Sequence, residues 1–267
     1  MQPEAIAVAA RLFVAARRTG HPMPPLPESC RPANAADVNA IVDAVTAELV
    51  ANDGETIGGW KIGFLYSPRQ KPMICPLFHS RLFASPAPVP ATVTAACLIE
   101  PEISFRLVRD LPARAAPYRA DEVAAALVAC PSLELIDTRF DTAHRSIRQM
   151  LDDRRTRLEA MADHNTTGAY VTADGRADWQ DFDFAAMRVV MRTPKRVLVE
   201  TVGGHAFSDP FLPCVVLANE MRHRAGLAAG QLLVTGSFSG FFPVEPGETV
   251  TAEFVGFGSA EATYVTR

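Results

Sequence analysis

The sequence predicts an α+β fold: a helical head over the first fifty or so residues, then a body built mainly from short strands. Two observations carry this. Alanine-rich stretches with helical spacing occupy the start of the 267-residue chain, and beyond Gly54 short β-like segments follow one another with turns and few helices between them. Hydrophobic content of 48% and charged content of 21% are those of a chain with a substantial buried core.

In the head, residues 5–18 place Ile6, Leu12 and Phe13 near one stripe, and Gly20 stops that helix. A proline-rich connector follows, with Pro22, Pro24, Pro25 and Pro27. Asn34 then caps a second helix running to about Val50, with Asp37 well placed in its first turn. Strands are expected at residues 58–64, 98–108, 132–137, 169–172, 188–193, 195–201, 231–235 and 249–254. Helices are expected at 121–129, 145–157 and 212–225. The boundary between head (residues 1–70) and body (71–267) is expected in the loop-like region 67–75, around Pro68 and Pro72.

The net charge of −4 supplies no basic field for nucleic acid. Five cysteines, odd in number and never in a C-x-x-C pair, argue against a disulfide framework or a thiolate zinc site and suit a reducing, cytoplasmic setting. No apolar run reaches membrane-spanning length, and the charged start reads as a surface helix.

The most informative segment runs from Leu98 to Leu107. Side chains two apart on a strand share a face, so Glu100 and Glu102 project together, flanked by Ile99, Ile103, Phe105 and Leu107. Like charges so placed must be solvated, share a proton or hold a cation, and a hard divalent ion takes this donor type. Glu134 lies in a second apolar run, Leu133 to Ile136, which makes a three-glutamate metal site the leading expectation. The competing reading is a solvated strand face, which Pro101 favours because proline prefers edge strands. Taken alone, Glu134 reads as a salt-bridge partner for Arg139, Lys61 as a lysine snorkelling past Trp60, and Asp137 with Arg139 as an ion pair.

Five segments in order, Gly59-Trp60-Lys61-Ile62-Gly63, Glu100-Pro101-Glu102-Ile103 with Arg109-Asp110-Leu111-Pro112, Leu133-Glu134-Leu135-Ile136-Asp137-Thr138-Arg139, Asp163 with Gly168-Ala169-Tyr170-Val171, and Thr235-Gly236-Ser237, span nearly the whole chain. Through them it resembles the fumarylacetoacetate hydrolase superfamily, in the branch of 2-oxopent-4-enoate hydratases and 2-oxo-enedioate decarboxylases. The resemblance implies a mixed β-sandwich roll with a small N-terminal helical region and a homo-oligomer. It also implies Mg²⁺ or Mn²⁺ held by Glu100, Glu102 and Glu134, a small 2-oxo acid substrate, and Lys61 as proton shuttle or oxyanion stabiliser. Asp163 is expected to support Lys61 or a water, and Thr166 and Ser237 to bind the substrate carboxylate or position water. The segment Leu77-Phe78-His79-Ser80-Arg81 departs from the pattern: the acid that hydratases commonly carry after the Leu-Phe step is missing. His79 is the candidate replacement base, and Arg81 the candidate for a second substrate carboxylate. His164 stands where an asparagine is usual. The expected activity is hydration of a short 2-hydroxy-dienoate from aromatic ring cleavage. Its rivals are decarboxylation of a 2-oxo-enedioate at the same site and a catalytically inactive scaffold or regulatory subunit.

Overall fold

The computed structural model describes residues 1–64 and 71–265. In chain order these form α1 (Pro3–Thr19), α2 (Ala35–Asn52), β1 (Ile57–Gly63), β2 (Met73–Phe78), β3 (Leu82–Ala84), β4 (Ala87–Pro90), β5 (Leu98–Leu107), α3 (Ala120–Ala124), β6 (Leu127–Ile136), α4 (Ile147–Asp152), α5 (Arg154–Ala162), β7 (Thr167–Thr172), β8 (Arg188–Arg192), β9 (Val197–Val202), α6 (Leu212–Met221), β10 (Leu232–Val234), β11 (Phe242–Pro243), β12 (Thr249–Phe254) and β13 (Gly258–Val265). The chain is mixed α and β, as expected, with its helical head at the N-terminus.

The strands make two sheets. The larger runs β2-β1-β10-β5-β6-β7-β3, with β11 added to β5, and the smaller runs β4-β13-β12-β8-β9. Alternation along β5 explains how they pack. Ile99, Ile103, Phe105 and Leu107 face a core shared with Val189, Met191, Val250, Ala252 and Phe254 of the smaller sheet. The other face of β5 carries Glu100, Glu102 and Ser104.

The head has its own core. Gly20, at φ +67°, ends α1, and Asn34 accepts a hydrogen bond from the Asp37 amide at 3.0 Å to start α2. The buried stripe of α1 is Ala9, Ala10, Phe13, Val14 and Ala16; Ile6 and Leu12 are only half-buried. Phe13, edge-on to Phe140, shares this core with Val38, Ile41 and Val42 of α2, Met73 and Phe78 of β2, and Met161 of α5. The head thus clamps the β2 edge of the large sheet. β1 pairs with both β2 and β10, so the sheet begins before the boundary expected at 67–75, part of which lies outside the described residues.

Several elements differ from expectation, for local reasons. The helix expected at 121–129 stops at Ala124, because residues from Leu127 onward pair with β5 over ten positions, from Leu107↔Leu127 to Leu98↔Ile136. The helix expected at 145–157 breaks at Asp153, whose extended backbone and side-chain bond to the Arg155 amide start a second helix. The helix expected to reach residue 225 ends at Met221. Strands β2, β3, β4, β11 and β13 were not foreseen; β4 reads Ala-Pro-Val-Pro, a pattern compatible with an edge position, which it occupies beside β13.

Close approach of β1 to β10 requires Gly59: a Cβ there would lie 2.2 Å from the Leu232 carbonyl oxygen, which belongs to backbone that cannot swing aside. Gly59→Ala should therefore cost at least about 3 kcal/mol or abolish folding. Gly20→Ala, strained only by its positive φ with open space around it, should cost about 1 kcal/mol. Urea denaturation of the two variants checks this, and equal effects would contradict the packing described.

Candidate metal centre

The register of β5, β6 and β7 assembles the site. Glu100 lies directly opposite Glu134, and Glu134 directly opposite Tyr170. Opposed residues in an antiparallel ladder share a face, and Glu102 joins them by the two-residue repeat. One oxygen from each of Glu100, Glu102 and Glu134 lies within 4.8 Å of the others. Glu102 and Glu134 are fully buried and Glu100 is 9% exposed, so the solvated-face reading does not hold. Pro101 is no edge marker either. It sits where β10 has ended, and its carbonyl accepts from the Phe238 amide at 3.2 Å and Ser237 Oγ at 3.3 Å.

Lys61 reaches the same face from β1. Its Nζ donates to both Glu134 oxygens at 2.6 Å, and at 3.4 Å to the Asn165 carbonyl and to Thr167 Oγ1. Thr167 in turn donates to Glu134 Oε1 at 2.9 Å. Glu134 thus pairs with Lys61, not with Arg139. Both oxygens of Glu102 are buried with no hydrogen-bond partner among the described residues, and so is the Tyr170 hydroxyl.

Three acids and one ammonium out of water leave a surplus of negative charge. Burial, then the charge of Glu134, pushes Glu100 up to about 8; burial with the charges of Glu134 and Glu100 holds Glu102 well above the carboxylate range. Burial favours the neutral amine of Lys61, but the charges of Glu134, Glu102 and Glu100 outweigh it and raise its pKa. Burial, then Glu102 and Glu134, keeps the Tyr170 phenol well above its usual value. A cluster of hard oxygen donors with an orphaned carboxylate fits a divalent cation, which would neutralise the surplus and give Glu102 a partner.

The other expected residues divide into two groups. Ser237 forms a β-bridge with Glu102 and is half-buried, its Oγ also accepting from the Gly240 amide at 3.0 Å. Thr166 is buried beside Lys61's partners, with its Oγ1 turned to the Asn165 carbonyl at 2.7 Å. His79 is exposed on a short 3₁₀ turn, where Nδ1 meets Thr56 Oγ1 at 3.2 Å, and Arg81 Nη1 donates to the Val93 carbonyl at 2.6 Å; neither contact leads to the carboxylates. Asp163 is fully buried but serves Arg139 and Thr138: it accepts from Thr138 Oγ1 at 2.9 Å, Arg139 N at 2.7 Å and Arg139 Nε at 2.6 Å. The Asp137–Arg139 pair is the looser one, at 4.0 Å.

Between Asp163 and Thr167 the chain takes an unusual path. His164, Asn165 and Thr166 have φ of +49°, +52° and +56°, a left-handed run with no glycine. Each such residue costs about 1–2 kcal/mol. That run turns the Asn165 carbonyl toward Lys61. Thr167, Tyr170 and the Asn165 carbonyl were missed as site groups; their signal was the Asp163 to Val171 segment, from which only Asp163 and Thr166 were singled out.

A carboxyl group with a raised pKa makes the folded state hold protons that the unfolded chain has released, so stability falls as pH rises through that window. Burial, reinforced by Arg17 and Arg139, keeps His164 well below its usual pKa, which acts oppositely and only below about pH 6.5. In EDTA, the melting temperature should therefore fall from about pH 6.5 to about pH 8, the upper limit set by Glu100. Glu102→Gln should flatten that fall and melt higher than wild type at the alkaline end. A wild-type melting temperature that is level or rising across the window contradicts this electrostatic account.

No family model matches the chain. It is 27% identical over 264 residues, 96% of each chain, to a 2-keto-4-pentenoate hydratase of Burkholderia vietnamiensis. It is 26% identical over 146 residues, 54% of this chain and 52% of the relative, to a 4-oxalocrotonate decarboxylase of Pseudomonas putida. Among solved structures, the 4-oxalocrotonate decarboxylase of Pseudomonas putida G7 complexed with magnesium and adipate superposes with a TM-score of 0.79 over 99% of both chains, at 22% identity, and so shares the fold. Sequence order, the curled mixed sheet with its N-terminal helices, and full-length similarity agree: the chain belongs to the fumarylacetoacetate hydrolase superfamily, in the branch of the 2-keto-4-pentenoate hydratases and 4-oxalocrotonate decarboxylases.

Proposed function

We propose that this protein is a divalent-metal-dependent hydro-lyase that adds water to a short 2-hydroxy-dienoate, or its 2-oxo-enoate tautomer, giving a 4-hydroxy-2-oxo acid. The observation that carries the reading is the buried trio Glu100, Glu102 and Glu134 with Lys61 held against its third member. Alignment with the hydratase spans 96% of the chain, against 54% for the decarboxylase, and for this reason hydration ranks first and loss of CO₂ from a 2-oxo-enedioate second.

Glu100, Glu102 and Glu134 would hold Mg²⁺ or Mn²⁺, the cations that suit an all-oxygen donor set. When bound, such an ion supplies Lewis-acid stabilisation for negative charge on the 2-oxygen of a 2-oxo acid. The chain's own side chains do the rest. Hydration requires one group to give a proton to the conjugated chain and take one from it, and Lys61, protonated in the field of its carboxylates, can do both. Thr167 and the Asn165 carbonyl hold its Nζ in place. The hydroxyls of Ser237 and Thr166 are the candidates for orienting the substrate carboxylate or the attacking water. Asp163 acts as a positioning residue: by tying down Arg139 and Thr138 it fixes the start of the left-handed run that carries Asn165.

With Mg²⁺ and 2-hydroxypenta-2,4-dienoate, the protein should consume the dienol and yield 4-hydroxy-2-oxopentanoate without CO₂. Inertness toward that acid, together with CO₂ release from 2-oxohex-3-enedioate, would assign decarboxylation instead. Lys61→Met should lower kcat by about 10²–10⁴-fold. It should not weaken Mg²⁺ binding, since it removes a positive charge beside the carboxylates. A variant with wild-type kcat would take Lys61 out of the chemistry.

A further inference from the structure

A second charged cluster lies beyond the left-handed run. A cavity of about 500 Å³ opens between the C-terminal end of α1, the turn that carries Arg81 and the segment that follows β6, and Arg17, Arg81, Asp137 and Arg139 border it. The guanidinium groups there outnumber the carboxylates available to them. Asp163 pairs with Arg139, and its oxygens are already occupied by Arg139 and Thr138. Arg17 reaches that same carboxylate only at 3.6 Å, with its side chain 11% exposed. Its Nε and Nη2 are buried and have no hydrogen-bond partner among the described residues. Arg81 is half-buried and bonds a backbone carbonyl, with no acid within ion-pair distance among the described residues.

The electrostatics agree with that count. Burial, then repulsion from Arg139, lowers Arg17 to about 9, and Asp163 offsets this only in part. Burial and Arg139 also lower Arg81. Burial raises Asp137, which weakens the one carboxylate lining the cavity among the described residues. The end of α1 contributes about half a negative charge, too little to balance three guanidinium groups.

We propose that this cavity is a binding site for a small oxyanion, carboxylate or phosphate, recognised by Arg17 and Arg81 with Arg139 behind them. Arginine suits such a ligand because its planar fork pairs with two oxygens at once. The site is separate from the three glutamates but communicates with them. Arg139 Nη1 donates to the Thr167 carbonyl at 3.2 Å, Thr167 Oγ1 donates to Glu134, and Asp163 leads into the run that places the Asn165 carbonyl beside Lys61. An anion drawing Arg17 and Arg139 away from Asp163 would be felt at Lys61. The proposal does not depend on the hydratase reading.

Calorimetric titration of inorganic phosphate and of succinate, at constant ionic strength with chloride as control, tests it. The Mg²⁺-loaded protein should bind one anion per chain with Kd of about a millimolar or tighter. Glu102→Gln should still bind one anion per chain, which separates this site from the metal centre. Arg81→Gln should weaken the anion at least about tenfold, with Mg²⁺ affinity and melting temperature unchanged. No binding of either anion, or equal affinity in Arg81→Gln, would overturn the proposal. If the anion competes with 2-oxohex-3-enedioate, the ligand is the far carboxylate of such a dicarboxylic substrate; if it does not, the ligand is a separate metabolite. Either pattern upholds the site.

Discussion

Charge withdrawn from water governs this molecule. Three carboxylates and one ammonium share one face of a buried sheet, and among the described residues Glu102 has no hydrogen-bond partner. Two like charges at such a separation repel by about 3 kcal/mol at an effective dielectric constant of 20, and each also loses its hydration. Lys61 relieves part of that cost by bonding Glu134 and by its charge beside Glu100 and Glu102. A fold evolved for stability only would gain by replacing these acids with apolar side chains. Their persistence in the interior makes sense as a site held ready for a cation, at the expense of the metal-free state.

The architecture supplies the rigidity such a site needs. The acids stand on the two longest strands, which pair over ten positions, and their opposite faces are locked into the core between the sheets. Lys61 comes from β1, itself pressed so closely against β10 that only glycine fits at position 59. The one irregular support is the run His164, Asn165 and Thr166, where several kcal/mol of backbone strain are offset by the buried Asp163–Arg139 pair on one side and the Lys61–Glu134 pair on the other. This places the strained part of the centre between two ion-pair networks.

Much of the fold and of the site was legible in the sequence, for identifiable reasons. Alternation along β5 put Glu100 and Glu102 on one face, the apolar run around Glu134 announced its strand, and the order of the segments around Lys61 tied the three together. Other features follow from pairing across long distances, which local patterns do not carry. The helical propensity of Ala125, Ala126 and Leu127 yielded to the extended ladder with β5. His79 looked like a replacement base by its place after Leu77 and Phe78, yet it ends on the surface with Thr56. The left-handed run had no glycine to betray it, so the roles of Asn165 and Thr167 stayed hidden. Arg139, read as the partner of Asp137, turned instead to Asp163, because Asp163 offers both oxygens at closer range.

The central claim is that Glu100, Glu102 and Glu134 together hold one divalent ion. Electron paramagnetic resonance of Mn²⁺ titrated into the protein measures this directly, because free and bound Mn²⁺ give distinct signals. The account predicts one bound Mn²⁺ per chain, displaced by Mg²⁺ and lost in Glu134→Gln. A protein that leaves all Mn²⁺ free, or binds it equally well in that variant, would contradict it.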